Sequence, residues 1–113
     1  MSTQSTTSAA LLASLFRGLA DAARLSCLLA MRERECTVNE VVAATRLSQP
    51  NVSKHLACLR ECGLVQSRRS GKYVSCALSD AGVEQVLQSA EVLLLYVGSA
   101  IGACPTYGEK ETP

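Results

Sequence analysis

Apolar residues recur at three- and four-residue spacing along most of the chain, and that period predicts helices wherever it holds. In AALLASLFRGLA, Leu11, Leu12, Leu15, Phe16 and Leu19 keep the period and predict a first helix. Asp21 is placed to cap a second, DAARLSCLLAMRE, in which Leu25, Leu28 and Leu29 line one face and Cys27 falls among them as a core residue. Thr37 followed by Glu40 has the spacing of a capping box, with Val38, Val41 and Val42 as the apolar face of a short third helix. RLSQ then breaks the pattern. Ser48 can cap a fourth helix running from Gln49 to Glu61, Pro50 fits its first turn, and Gly63 ends it.

The period next changes. LVQSRRSGKYVSCAL predicts two strands around a Ser-Gly turn, with Val65, Tyr73 and Val74 as strand formers, so a β-hairpin follows the fourth helix. Asp80 is placed to cap a last helix, AGVEQVLQSAEVLLLYVGSAI. Its apolar run VLLLYVGSAIGA is well short of the roughly 20 residues of a membrane span, which predicts a buried helix with no membrane role. Val83, Val86, Leu87, Ala90, Leu94, Val97 and Ile101 form a stripe too long for a small core, and the first and last helices are therefore the expected dimer surface. The expected organisation is a single domain over residues 1–113, frayed over 1–7 and with a flexible tail over 103–113. Its class is mainly α with a β-hairpin wing.

Two short helices joined by a tight turn and followed by a hairpin form the layout of a winged helix-turn-helix, whose second helix enters the major groove. Charge strengthens this reading. From Arg46 to Lys72 six basic residues stand against one acidic residue, while the whole chain carries a formal charge of only +1. Such a segment attracts phosphate where the rest does not. Gln49, Asn51, Ser53, Lys54 and His55, near the start of the fourth helix, are suited to base edges and phosphates, and Arg68, Arg69 and Lys72 to holding the backbone from the wing. A solvated basic surface or a protein-docking winged helix would share the layout, and the latter predicts no DNA affinity. One histidine in 113 residues cannot assemble an acid, base and nucleophile, so an enzyme is not expected. No secretory signal marks MSTQSTTS, and a cytoplasmic location is expected.

Six cysteines in a reduced compartment point to ligands or redox sensors rather than disulfides. At about 100° per residue, Val52, Leu56 and Leu59 cluster on one side of the fourth helix, while Cys58 and Cys62 share a sector roughly 80 to 120° away with Asn51 and His55. Residues four apart meet across one helical turn, close enough for both sulfurs to bind one ion. A third thiolate could come from Cys27, Cys36, Cys76 or Cys104. Cys27 and Cys76 have ordinary packing reasons to exist, Cys36 is a candidate accessory thiol, and Cys104 in GACP has little packing reason. Three thiolates make a soft anionic site suited to Cd(II) and Pb(II).

The run LSQPNVSKHLACLRECGLV, with LADAARLSCL before it and Cys104 after it, resembles the ArsR/SmtB family of bacterial metal-sensing repressors, most closely its CmtR-type cadmium and lead sensors. The resemblance implies a homodimeric repressor that binds operator DNA without metal. It implies release when metal binds Cys58, Cys62 and a tail thiol, here Cys104, from the other subunit. No organic cofactor is implied. A Cys-x-Cys pair in the helix before the recognition helix, another family site, is replaced by VNEVVAATR, and the last helix has no histidine for a zinc- or nickel-type site. Both differences move sensing onto Cys58 and Cys62. Arsenite or antimonite as inducer, or redox or persulfide sensing through the same cysteines, would use the same fold.

Overall fold

The computed structural model describes residues 8–108, so the expectations for residues 1–7 and 109–113 lie outside the described residues. The chain divides into two compact units, residues 1–80 and 81–113.

In the first unit, α1 (Ala9–Leu19) starts at Ser8, whose hydroxyl accepts from the Leu11 N–H, and α2 (Ala22–Ala30) starts at Asp21, which accepts from the Arg24 N–H. That hydrogen bond holds the Asp21 carboxyl below its ordinary pKa. Strand β1 is only Cys36–Thr37, and α3 (Val38–Thr45) opens with the complete capping box: Thr37 accepts from the Glu40 N–H while Glu40 accepts from the Thr37 N–H at 2.8 Å. Arg46 closes α3 in the left-handed region at φ 65°, which turns the chain sharply into α4 (Gln49–Glu61), capped by Ser48. Strands β2 (Val65–Ser70) and β3 (Tyr73–Leu78) complete the unit.

The core is small and apolar. Cys27 and Leu28 from α2, Met31 at its C-cap, Val41 from α3, and Val52, Leu56 and Leu59 from α4 are all at most 2% exposed. The predicted stripe of the fourth helix is thus its buried face. The hairpin turn is Gly71-Lys72, with Gly71 at φ 63° and Lys72 at ordinary negative φ, the sign pattern of a type II′ turn.

The sheet has three strands, in the order β1-β3-β2, all antiparallel. The sequence reading missed β1, because two residues carry no alternation; the strand exists through its pairing of Cys36 with Cys76 and Thr37 with Ser75.

The second unit is α5 (Ala81–Ala103), which starts directly after Asp80, and a turn over residues 104–108. Here the expectation of a buried helix is corrected. Only Leu87 is buried; Leu93, Leu94 and Tyr96 are exposed and Leu95 is 82% exposed. The run expected to be too short also belongs to a continuous helix of 23 residues, long and apolar enough by length and composition to cross a membrane. A single copy of this chain does not supply the apolar surroundings that such a face demands.

Candidate nucleic-acid interface and thiol site

Helix α4 divides its labour by face. Val52, Leu56 and Leu59 anchor it in the core, and Gln49, Asn51, Ser53 and Lys54 are exposed near its start. The structure therefore leaves four of the five proposed base- or phosphate-reaching side chains open to a groove. His55 is half-buried and lies near Asp21. Arg69 and Lys72 are exposed on the wing, with the Lys72 ammonium 5.7 Å from the centroid of the Tyr73 ring. Arg68 is exposed too, but its guanidinium is ion-paired with Glu35, in the loop before β1. Glu35 was not singled out from the sequence: the two residues are 33 positions apart, and no local pattern links them.

The six thiols separate by burial. Cys27, Cys36 and Cys76 are buried. Cys36 donates to the Ala30 carbonyl at 3.4 Å, Cys76 lies 3.6 Å from the Ser67 hydroxyl, and burial raises the thiol pKa of both Cys27 and Cys36. The accessory role considered for Cys36 gives way to a packed, cross-strand position. Cys58 is half-buried and Cys62 exposed.

Cys62 sits at the C-cap of α4 with helical backbone angles, one turn beyond Cys58, and its N–H bonds to the Cys58 carbonyl at 3.0 Å. Gly63 then takes φ 82°, its N–H reaches the Arg60 carbonyl, and the Leu64 N–H reaches the Leu59 carbonyl. This is a Schellman closure, and it holds Cys62 in register above Cys58.

The Cys62 thiol pKa is raised, first by desolvation, then by the charge of Cys58 and a side-chain hydrogen bond with it. Desolvation of an exposed residue has a local cause: Cys62 forms part of the wall of an apolar cleft with Leu11, Leu15 and Leu64. Arg24 opposes the rise with its positive charge. That guanidinium is fixed by the Gly18 carbonyl at 2.6 Å and the Arg17 carbonyl at 3.0 Å, tying the end of α1 to α2 beside the thiol. Sequence reasoning passed over Arg24, because a single arginine in an amphipathic helix carries no signal.

Cys104 has a different environment. Within the expected tail, residues 104–108 form a hydrogen-bonded turn. The Tyr107 N–H points at the Cys104 sulfur at 3.4 Å and the Gly108 N–H returns to the Cys104 carbonyl at 2.8 Å. Backbone N–H groups of Tyr107 and then Thr106 lower the Cys104 thiol pKa, as a nest of amides does for an anion. Gly108 is required there. A Cβ on it would run into the Gly102 carbonyl oxygen and stand 2.6 Å from that of Cys104. Among the described residues, no group of three or more His, Cys, Asp or Glu side chains gathers at ion-binding distance. The structure brings Cys58 and Cys62 together as a pair.

Comparison with known proteins fixes what this architecture belongs to. Residues 21–67 match the model of the bacterial regulatory protein arsR family. The chain is 38% identical over 101 residues to a probable mercury resistance operon repressor of Streptomyces lividans, covering 87% of this chain and 81% of that one. It is 38% identical over 86 residues to the HTH-type transcriptional regulator CmtR of Mycobacterium bovis, covering 76% and 73%. Among solved structures, the homodimeric winged helix-turn-helix DNA-binding domain Mb0332 from Mycobacterium bovis superposes with a TM-score of 0.72 at 27% identity, covering 88% of this chain and 95% of that one. Matched in sequence through its helix-turn-helix and in shape through its wing, the chain belongs to the arsR family of bacterial regulators, DNA-binding transcription factors and not enzymes.

Proposed function

We propose that the protein is a cytoplasmic homodimeric repressor that holds operator DNA in its metal-free form and lets go when Cys58, Cys62 and Cys104 bind a thiophilic ion, Cd(II) or Pb(II). The observation that carries this reading is the pair Cys58 and Cys62: two thiols one turn apart on the helix that presents Gln49, Asn51, Ser53 and Lys54, outside its buried stripe. The donor chemistry suits such an ion. Thiolates are soft, anionic ligands, and three of them satisfy a large thiophilic cation. Cys104 supplies a thiol that its own backbone already biases toward the thiolate. The dimer is proposed to close over the exposed apolar faces of α1 and α5, whose Phe16 and Leu95 have no reason to stay in water.

In the repressing state, α4 lies in the major groove with Arg69 and Lys72 on flanking phosphates, and Arg68 joins them by exchanging Glu35 for phosphate. Cys58 and Cys62 must lose their protons to bind, and drawing them toward a third thiolate pulls on the C-terminal half of the reading helix.

Titration of the reduced protein with Cd(II) under anaerobic conditions tests the reading. Sulfur-to-metal charge-transfer absorption and loss of fluorescence anisotropy from a labelled operator should saturate at the same equivalence point. Absorption that saturates while the operator stays bound would leave a thiol site with no regulatory role. A mercury response is a second reading, favoured by the Streptomyces lividans relative and by a pair of thiols, since Hg(II) accepts two thiolates.

A further inference from the structure

The wing carries an aromatic side chain that neither the core nor the phosphate-holding cations account for. Tyr73 opens β3 directly after the Gly71-Lys72 turn, is 61% exposed, and has the Lys72 ammonium 5.7 Å from its ring centroid. Its cross-strand partner is Ser70, while Arg69 faces Val74 on the next pair. Side chains alternate across a strand, so Tyr73 stands on the opposite face from Val74 and the buried Cys76, away from the core. The exposed apolar residues of α1 and α5 belong to the proposed dimer surface. Tyr73 lies instead in the basic segment, on the hairpin that continues from the reading helix. From Val65 at the base of β2 to Ser70 at its tip the chain advances five residues at about 3.3 Å each, a reach of about 17 Å. Half a turn of B-DNA, the step from a major groove to the neighbouring minor groove, is also about 17 Å. A minor groove about 6 Å wide admits one ring edge-on and excludes the hairpin itself.

We propose that Tyr73 is a specificity-determining residue: its ring enters the minor groove beside the half-site held by α4 and selects A·T or T·A pairs there over G·C. The inference rests on the reading of α4 as the helix in the major groove and is independent of which ion the thiols bind. The chemistry of the groove floor supplies the discrimination. A·T and T·A pairs both present only the acceptors of adenine N3 and thymine O2, whereas a G·C pair adds the guanine N2 amine. That amine projects to where the ring edge would pack, and it must give up water for a carbon edge that accepts no hydrogen bond. Lys72, beside the ring, stays on the flanking phosphate and steadies the ring by its charge. The wing thus adds to the phosphate contacts of Arg69 and Lys72, which position without reading, one contact that reads.

The test begins with selection from a random duplex library by the full-length, reduced, metal-free protein and, in parallel, by Tyr73→Ala. The unaltered protein should select paired half-sites bordered by positions at which A and T are accepted interchangeably. The variant should select the same half-sites and lose the bordering preference. Fluorescence anisotropy on the selected duplex then isolates the amine. Changing one bordering A·T pair to G·C should weaken binding about fivefold or more, the lower end of what one mismatched pair costs. Changing it to inosine·C, which removes the N2 amine and keeps the major-groove pattern of G·C, should restore the A·T affinity. Tyr73→Phe should keep the discrimination, and Tyr73→Thr, a strand former, is the second ring-less variant should alanine disturb the hairpin. A bordering preference that survives without the ring, an inosine·C pair that binds as G·C does, or a loss of affinity equal on all borders overturns the proposal. Defined half-sites without any A·T border would sink this inference alone. Selection of no preferred sequence would sink the operator reading together with it.

Discussion

Replacing each cysteine in turn by serine separates ligands from packing residues, because the structure assigns the six thiols very different surroundings. Cys27 is 0% exposed in an apolar core, so a hydroxyl there is buried without an evident partner at a cost of about 1–3 kcal/mol. At roughly 4–8 °C per kcal/mol for a small domain, the melting temperature should fall by about 5–20 °C. Cys36→Ser should cost less, since the new hydroxyl can keep the bond to the Ala30 carbonyl that the thiol makes at 3.4 Å. Cys58 and Cys62 are half-buried and exposed, so serine at either should change stability by no more than about 0.5 kcal/mol. Metal affinity should follow the opposite order. Structural zinc sites contribute about 10–16 kcal/mol over four ligands, so one thiolate carries about 3 kcal/mol and its loss weakens binding more than a hundredfold. Thermal melts beside anaerobic Cd(II) titrations measure stability and metal affinity for each variant. The reasoning fails if Cys58→Ser destabilises as much as Cys27→Ser, or if the Cys58→Ser, Cys62→Ser double variant still leaves its operator when cadmium is added.

The remaining predictions concern charge, assembly and the C-terminal turn. Glu35→Gln removes the carboxylate that competes with phosphate for Arg68, so it should tighten DNA binding several-fold at low salt and lose that gain as salt rises, whereas Arg69→Ala should flatten the salt slope by about 0.9. Leu95→Glu places a charge on a face 82% exposed in the single chain; sedimentation should show the dimer weakened while helical circular dichroism is kept, and an unchanged dimer would remove α5 from the interface. The Cys104 thiol has its pKa lowered by backbone N–H groups, so its thiolate persists below the ordinary thiol range, and the turn's extra stability is present above that range and fades as pH falls through the lowered value. The Cys62 pKa is raised, so its thiolate appears only above that range. Alkylation mapped by mass spectrometry against pH should find Cys104 reacting at lower pH than Cys62, and Gly108→Ala, which forces a Cβ into the carbonyl oxygens of Ile101, Gly102 and Cys104, should bring Cys104 back toward ordinary behaviour.

What could be read from the sequence alone was local. Ser48, the Thr37 and Glu40 box, and Gly63 announce helix ends within three or four residues of themselves, and each cap sits where its chemistry places it. The angular arithmetic that set Cys58 and Cys62 apart from Val52, Leu56 and Leu59 needs only a regular helix, which α4 is. What escaped was non-local. Strand β1 exists because of residues nearly forty positions away, and Glu35 meets Arg68 across the fold. The Cys104 turn depends on a missing Cβ at Gly108, a steric fact with no periodic signature. The apolar stripe of α5, by contrast, was legible as a surface expected to meet a second copy, because it is longer than the small core can cover.

The position of the thiols also bears on how little motion regulation needs. Asn51 and Cys58 are seven residues apart on one helix, about 10 Å along its axis at 1.5 Å per residue. On the proposed reading, base contacts and ion ligands therefore share one rigid rod, and no relay through other elements is required. A hundredfold loss of operator affinity corresponds to about 2.7 kcal/mol of coupling. One misaligned bidentate base contact costs about 1–3 kcal/mol, so a small displacement of α4 in each half of a dimer is enough to supply it. Linkage makes the coupling reciprocal: operator-bound protein should bind Cd(II) more weakly than free protein by the same factor. A metal affinity unaffected by saturating operator would show that binding at Cys58 and Cys62 leaves the reading face of α4 where it was, and the regulatory half of the proposal would then fall.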